Sequence, residues 1–262
     1  MARGLAFGIF RPARQASFLA VVGPYFVTLS PSAFLDRAAD LALLFLAFSV
    51  LLYAGIYLVN DLADVRADSR HPLKRQRTLA SGRLSRRQAQ VLSAALILSG
   101  LSLAACLSRV ALAFSLLLLL LNVAYSFWLK RIPYLELVVN TATLPLRVVL
   151  GLALFAPSFS GHAPLVVAAA GVYLSVNCVK RHAEIGNEHT EPRQGLRAYS
   201  ERGLQIGALL GAALAGVAVC TSPGWQAATF AGSALVIALL VTSAAVLREG
   251  RLSRAVACLL TA

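Results

Sequence analysis

The residues of this sequence that could do chemistry are few, and they are grouped. Only eleven of the 262 residues are acidic, and three of them, Asp61, Asp64 and Asp68, follow directly on the uncharged run 41–60. If the helix of that run continues past residue 60, the three aspartates are spaced i, i+3 and i+7 and share one face, with Asn60 beside them. Like charges placed this way repel. Oxygen donors at this density suit Mg²⁺, which keeps several waters and binds one or two carboxylates together with substrate phosphates. A solvated helix end neutralised by Arg66, Arg70 and Lys74 is the simpler alternative, but in a chain so poor in acid the metal is favoured. A second acidic group, Glu184, Glu188 and Glu191, belongs to the stretch that starts NCVKRHAEIGNEH at Asn177. There Asn177, Arg181, Glu184 and Glu188 fall on one helical face, and Lys180 is spaced to pair with Glu184. Ordinary helix-end salt bridges account for this spacing as well as a site does.

Other polar groups stand near or inside apolar segments. Arg147 interrupts an otherwise apolar stretch, where an ionised side chain is expensive and points to function, or else to a structural partner such as Glu136 or a backbone carbonyl. Tyr125 and Lys130 end another apolar stretch, a place where aromatic and cationic anchors are common. His71 and His182 have no ligand-spaced partner. Four cysteines lie singly in apolar segments, as small packing residues do.

The elements that must position these groups follow from composition. Hydrophobic residues make up 58% of the chain, which points to a polytopic membrane protein. Stretches reaching the ~20 apolar residues of a spanning helix recur, without the alternation of a β-barrel. The fold class expected is therefore all-α, a polytopic transmembrane helical bundle. Its helices are expected near 16–35, 41–60, 89–108, 110–129, 133–156, 163–183, 203–221 and 225–247, eight full helices plus a short or partial ninth from 252. They form a single integral-membrane domain over 1–262, with candidate active-site loops at about 60–88 and 182–202. Arg3, Arg11 and Arg14 give the first apolar segment a signal-peptide-like front, but its core is too long, and it reads as a mature helix.

Net charge is +13, which raises the question of nucleic acid. On this topology 21 of the 24 basic residues fall on one side of the membrane. That is the positive-inside pattern, with the N-terminus and the acidic loops cytoplasmic. No nucleic-acid partner is needed to explain it. Basic loops beside a lipid bilayer favour anionic headgroups or phosphorylated substrates.

The pattern Asn60-Asp61-x-x-Asp64-x-x-x-Asp68, followed by His71-Pro72-x-Lys74-Arg75-x-Arg77 and Gly82, resembles the first signature of the UbiA superfamily of intramembrane prenyltransferases. The resemblance implies nine helices around a lateral cavity, with Mg²⁺ held at two acidic motifs. Most prenyltransferases of the superfamily have an aspartate-rich second motif. Lys180-Arg181-His182-Ala183-Glu184 is instead similar to the Lys-Arg-Tyr-Ala-Glu of the decaprenyl-phosphate phosphoribosyltransferase branch. Tyr125-Ser126 with Leu129-Lys130, Leu146-Arg147 with Gly151, and Leu196-Arg197 with Tyr199 match the same branch. The chain departs from it at Gln15-Ala16-Ser17-Phe18, where a Trp-x-Lys-Asn stretch is usual, at Thr78, at His182 and in the short ninth helix.

What the resemblance implies is Mg²⁺-dependent transfer of 5-phosphoribose from phosphoribosyl diphosphate to a polyprenyl phosphate, in the bacterial inner (plasma) membrane. Asp61, Asp64 and Asp68 would hold the metal, with Asp61, Asp64, Lys180 and Glu184 as the catalytic set. Asn60, Lys74, Arg77, Tyr125, Lys130, Arg147 and Arg181 would bind substrate. Whether the chain forms a homo-oligomer is left open. An aromatic prenyltransferase using a prenyl diphosphate is the alternative, against which the Lys-Arg-x-x-Glu motif argues. A transporter fits less well, because its acids would sit at the membrane midplane and not at helix ends.

Overall fold

The structure, a computed structural model, describes residues 18, 21–22, 35–70, 74–155, 160–185 and 198–222. Among the described residues every regular element is helical. Six stretches among the described residues are long and apolar enough to cross a membrane: Ala38–Arg70, Arg86–Leu107, Arg109–Phe127, Leu135–Leu154, Ala163–His182 and Glu201–Cys220. They match the second to seventh expected helices. The first, eighth and partial ninth lie outside the described residues, apart from residues 18, 21, 22 and 35.

The chain divides into two compact units, with a boundary between Trp128 and Leu129. In the first, α1 (Ala38–Leu44) runs through a π-helical segment (Phe45–Leu52) into α2 (Tyr53–Arg70). This rod carries on ten residues beyond residue 60, so the condition on which the aspartate spacing rested is met. Helix α3 (Arg86–Leu107) packs on α1, the π segment and α2, while α4 (Arg109–Phe127) packs on α2 and α3. The contact of α3 with the π segment is backbone against backbone. A Cβ on Gly100 would lie 2.8 Å from the Ala47 carbonyl and the Leu52 nitrogen, so only glycine permits this approach. Helix α3 begins three residues before the expected 89, because Ser85 and Gln88 form a reciprocal capping box.

The second unit contains α5 (Leu135–Phe155), α6 (Ala163–Ile185) and α7 (Glu201–Cys220), with α6 packed on both neighbours. Helices α6 and α7 meet through small residues. A Cβ on Gly211 would come within 2.5 Å of the Gly171 carbonyl, and Ser175 Oγ donates to the Ala208 carbonyl at 2.8 Å. Close backbone approach of this kind holds membrane helices where no hydrophobic drive between them exists. Leu98, Leu120 and Leu209 are 64%, 66% and 70% exposed, as side chains meeting lipid would be.

Candidate functional site

In the first unit the acidic site is built by α2 and the segment that folds back after it. Leu79 and Leu84 are buried in a cluster with Ala54, Leu58 and Ala89, which pins residues 77–84 against α2 and α3. The turn is closed by Ser81 N–H to the Arg77 carbonyl at 2.8 Å and by Leu84 N–H to the Thr78 carbonyl at 3.2 Å. Gly82 takes a φ of +75°, open to glycine at little cost. The outcome is the placement of Arg77. Its Nη1 donates to Asp68 Oδ2 at 2.8 Å and stands 3.6 Å from Asp61 Oδ1. Both aspartates are 3% exposed.

Asp61 and Asp68 are thus drawn together, as the i, i+7 spacing implies, and a guanidinium lies against both. Asp64 and Lys74 are half-buried. Among the described residues no three acidic, histidine or cysteine side chains converge as ready-made metal ligands. The donor set nonetheless fits Mg²⁺, which needs only one or two carboxylates when phosphate oxygens and water complete its shell. Two buried carboxylates are already gathered round a cationic group. Asn60 is tied to α4: its Oδ1 accepts from Ser126 Oγ at 3.3 Å, and the same hydroxyl donates to the Asn122 carbonyl at 2.8 Å. Tyr125, one residue before Ser126, is half-buried.

In the second unit the polar groups form a ladder between α5 and α6. Arg181 meets Glu136 through two bonds, Nε to Oε1 at 2.5 Å and Nη2 to Oε2 at 2.8 Å. One turn away, Asn140 Nδ2 donates to Asn177 Oδ1 at 2.9 Å, and Asn177 Nδ2 to Thr141 Oγ1 at 3.3 Å. The Tyr199 hydroxyl donates to Glu136 Oε1 at 2.9 Å and accepts the Tyr134 N–H at 3.0 Å. Burial pushes the Tyr199 phenol well above its ordinary pKa, and the Glu136 carboxylate beside it adds to the shift. Tyr134 has a φ of +60°, a left-handed conformation costly for a non-glycine residue, and its ring packs edge-on to that of Tyr199 at 4.8 Å.

Glu136, named above only as a partner for Arg147, therefore belongs to Arg181 and Tyr199. Arg147 lies eleven residues further along α5, about 16 Å along the axis, which is too far for a direct pair with Glu136. It is buried at 5% exposure two residues after Pro145, which removes one helical hydrogen bond. Lys180 and Lys130 are half-buried, Lys130 in the short 3-10 turn Leu129–Arg131 ahead of α5. Glu184 lies on the last turn of α6. Glu188, Glu191 and Arg197 lie outside the described residues, as does His71. The spacing rules overlooked Glu136, Asn140 and Tyr199. A signal for the first two existed, since they stand at i, i+4 on α5 just as Asn177 and Arg181 do on α6.

The comparisons with known proteins agree with this architecture. The model of the UbiA prenyltransferase family matches residues 17–259. An uncharacterised protein y4nM of Sinorhizobium fredii is 35% identical over 140 residues, covering 53% of this chain and 27% of its own. A decaprenyl-phosphate phosphoribosyltransferase of Corynebacterium glutamicum is 33% identical over 148 residues, covering 56% of this chain and 44% of its own. The chain thus spans less than half the length of these two relatives. Among solved structures, a UbiA homologue from Archaeoglobus fulgidus bound to GPP and Mg²⁺ superposes with a TM-score of 0.66 at 16% identity, over 98% of this chain and 93% of the other.

Proposed function

Since the chain belongs to the UbiA prenyltransferase family of integral membrane transferases, we propose that it transfers 5-phosphoribose from phosphoribosyl diphosphate to a polyprenyl phosphate in a bacterial plasma membrane, with its acidic loops cytoplasmic. The observation that carries the choice of donor is the second motif. At the end of α6 Lys180 supplies a cation suited to a phosphate and Glu184 a carboxylate suited to ribose hydroxyls, with Arg181 between them in sequence. A prenyl tail would ask for no such set. Relatives named decaprenyl-phosphate phosphoribosyltransferase support the same reading.

In the reaction the C1–O bond to diphosphate breaks and its electron pair leaves with the diphosphate. An oxygen of the polyprenyl phosphate forms the new bond to C1. This acceptor is already ionised near neutral pH, so no side chain has to remove a proton. The work of the protein is positioning and electrostatics around a cationic sugar centre. Mg²⁺, when bound, would neutralise charge building on the diphosphate, and Asp61, Asp64 and Asp68 are the residues to hold it. Asn60, Lys74, Arg77 and Tyr125 are assigned to substrate on the side of the diphosphate. Lys130, Lys180 and Arg147 are assigned to the remaining phosphate groups, and Glu184 to the ribose hydroxyls. Cations with several donors suit such anions, arginine as a fork and lysine as a point charge.

The purified protein in detergent, given radiolabelled phosphoribosyl diphosphate, decaprenyl phosphate and Mg²⁺, is expected to move label into the organic phase. A prenyl diphosphate donor with an aromatic acceptor is the second reading, and the A. fulgidus homologue bound to GPP and Mg²⁺ favours it. Label that stays in water while a prenyl diphosphate alkylates an aromatic acceptor would replace the first reading by the second.

A further inference from the structure

The Glu136–Arg181–Tyr199 cluster does something the assignment of substrate contacts leaves out. Arg181 spends two of its five N–H donors on one carboxylate, in the parallel two-bond geometry that is strongest for this pair. Both side chains are almost wholly buried, at 6% and 5% exposure. A guanidinium so matched is a neutral unit, with little net charge left to attract an incoming phosphate. It is also a costly one to place in a helical interior, since desolvation of two ions offsets most of their attraction.

Tyr199 extends the pair to a third segment. Its hydroxyl joins Glu136 to the backbone N–H of Tyr134, the residue held at positive φ, and the Tyr134 hydroxyl in turn accepts the Ser200 N–H at 3.3 Å. The start of α5, the end of α6 and the chain entering α7 therefore meet at one carboxylate. Backbone strain of this kind persists only where its surroundings impose it. Here they do, through two hydrogen bonds and a ring contact. Two lysines flank the cluster in sequence: Lys180 directly before Arg181, and Lys130 in the turn ahead of α5.

We propose that Glu136, Arg181 and Tyr199 form a brace that positions Lys180 and Lys130 for an anionic phosphate ligand, and that Arg181 is a positioning residue with no contact to the ligand. This rests on the phosphoribosyl diphosphate reading for the identity of the ligand, and not for the brace itself. The inference alters the sequence-based expectation for Arg181, which counted it among the substrate-binding cations.

The test separates a brace from a ligand. Binding of phosphoribosyl diphosphate with Mg²⁺, and of geranyl diphosphate in parallel, is measured by calorimetry on the full chain in detergent. Thermal unfolding is recorded on every variant. Tyr199→Phe keeps the ring and leaves every cation in place, yet removes the hydroxyl between Glu136 and Tyr134. It is expected to weaken phosphoribosyl diphosphate by about tenfold or more, the low end of what a hydrogen bond to a charged group contributes. Glu136→Arg and Arg181→Glu alone should each lose about tenfold or more, and the exchanged pair should recover most of the loss, because contacting residues are coupled in this way. A direct ligand role for Arg181 gives the opposite result: Tyr199→Phe binds as the wild type, and the exchanged pair stays as weak as Arg181→Glu. Either result overturns the brace. If the exchanged pair does not fold, Tyr199→Phe decides. If the wild type binds geranyl diphosphate and not phosphoribosyl diphosphate, the donor reading fails. In that case an undiminished geranyl diphosphate affinity in Tyr199→Phe also removes the brace.

Discussion

Arg77 is the residue whose removal should tell most about the acidic site. Its guanidinium touches Asp68 at 2.8 Å and lies 3.6 Å from Asp61, both carboxylates being 3% exposed. Arg77→Gln leaves two buried carboxylates two helical turns apart without that cation. A hydrogen bond to a charged group contributes about 1.5–3 kcal/mol, and breaking a fully buried pair costs about 3–5 kcal/mol. The Arg77 side chain keeps 18% of its exposure, so water softens the loss, and about 2–3 kcal/mol is the expected destabilisation. For a chain of this size that is roughly 4–12 °C in melting temperature. Unfolding in detergent with and without Mg²⁺ is the assay. The variant should melt lower without the ion and gain more from it than the wild type does, since a divalent cation can replace the lost charge. Asp68→Asn in the Arg77→Gln background should cost little more than Arg77→Gln alone, the sign of two groups acting as a pair. If Arg77→Gln melts with the wild type, or if the two losses simply add, the guanidinium does not hold the aspartates and the reasoning fails.

Three further outcomes are expected. Asp61→Ala and Asp64→Ala should abolish label transfer while the protein keeps its fold by circular dichroism, and full turnover by either in EDTA would remove the metal from the reading. A single cysteine at Arg83, in an otherwise cysteine-free chain, should resist a membrane-impermeant thiol reagent in intact cells and react after permeabilisation; labelling from outside would invert the topology. Stability should fall as pH rises above about 10, where the tyrosines of the unfolded chain ionise but the raised Tyr199 phenol stays protonated. Tyr199→Phe should show a shallower fall, and an equal slope in both proteins would contradict the shift.

How much of the first unit was legible in the sequence can be traced through α2. Periodicity alone put Asp61, Asp64 and Asp68 on one face, conditional on a helix that outlasts its apolar run. The structure meets that condition, because α2 extends to Arg70. The start of α3 was legible too, in Ser85 and Gln88, yet the apolar run drew the expected boundary to 89. The π-helical segment Phe45–Leu52 was not legible, since its eight residues carry no breaker and the backbone that approaches it closely, at Gly100, belongs to α3, some fifty residues on. Nor was the return of Arg77 to α2. That placement depends on Leu79 and Leu84 finding the α2–α3 interface, a tertiary event that no local spacing encodes.

In the second unit the limit is of another kind. A helical pattern says which residues share a face and not which helix that face meets. Asn177 and Arg181 were given one face together with Glu184 and Glu188, and the only pairing read from spacing was that of Lys180 with Glu184 on the same helix. The alternative was available: α5 and α6 are joined by a short connection, antiparallel neighbours follow, and Glu136 with Asn140 repeats the same four-residue spacing in reverse order. Matching the two polar pairs across such a hairpin would have found the ladder. The left-handed Tyr134 could not have been found this way. Its φ is set by Tyr199 and Ser200, more than sixty residues on, and a tyrosine ahead of a helix ordinarily has no reason to adopt it.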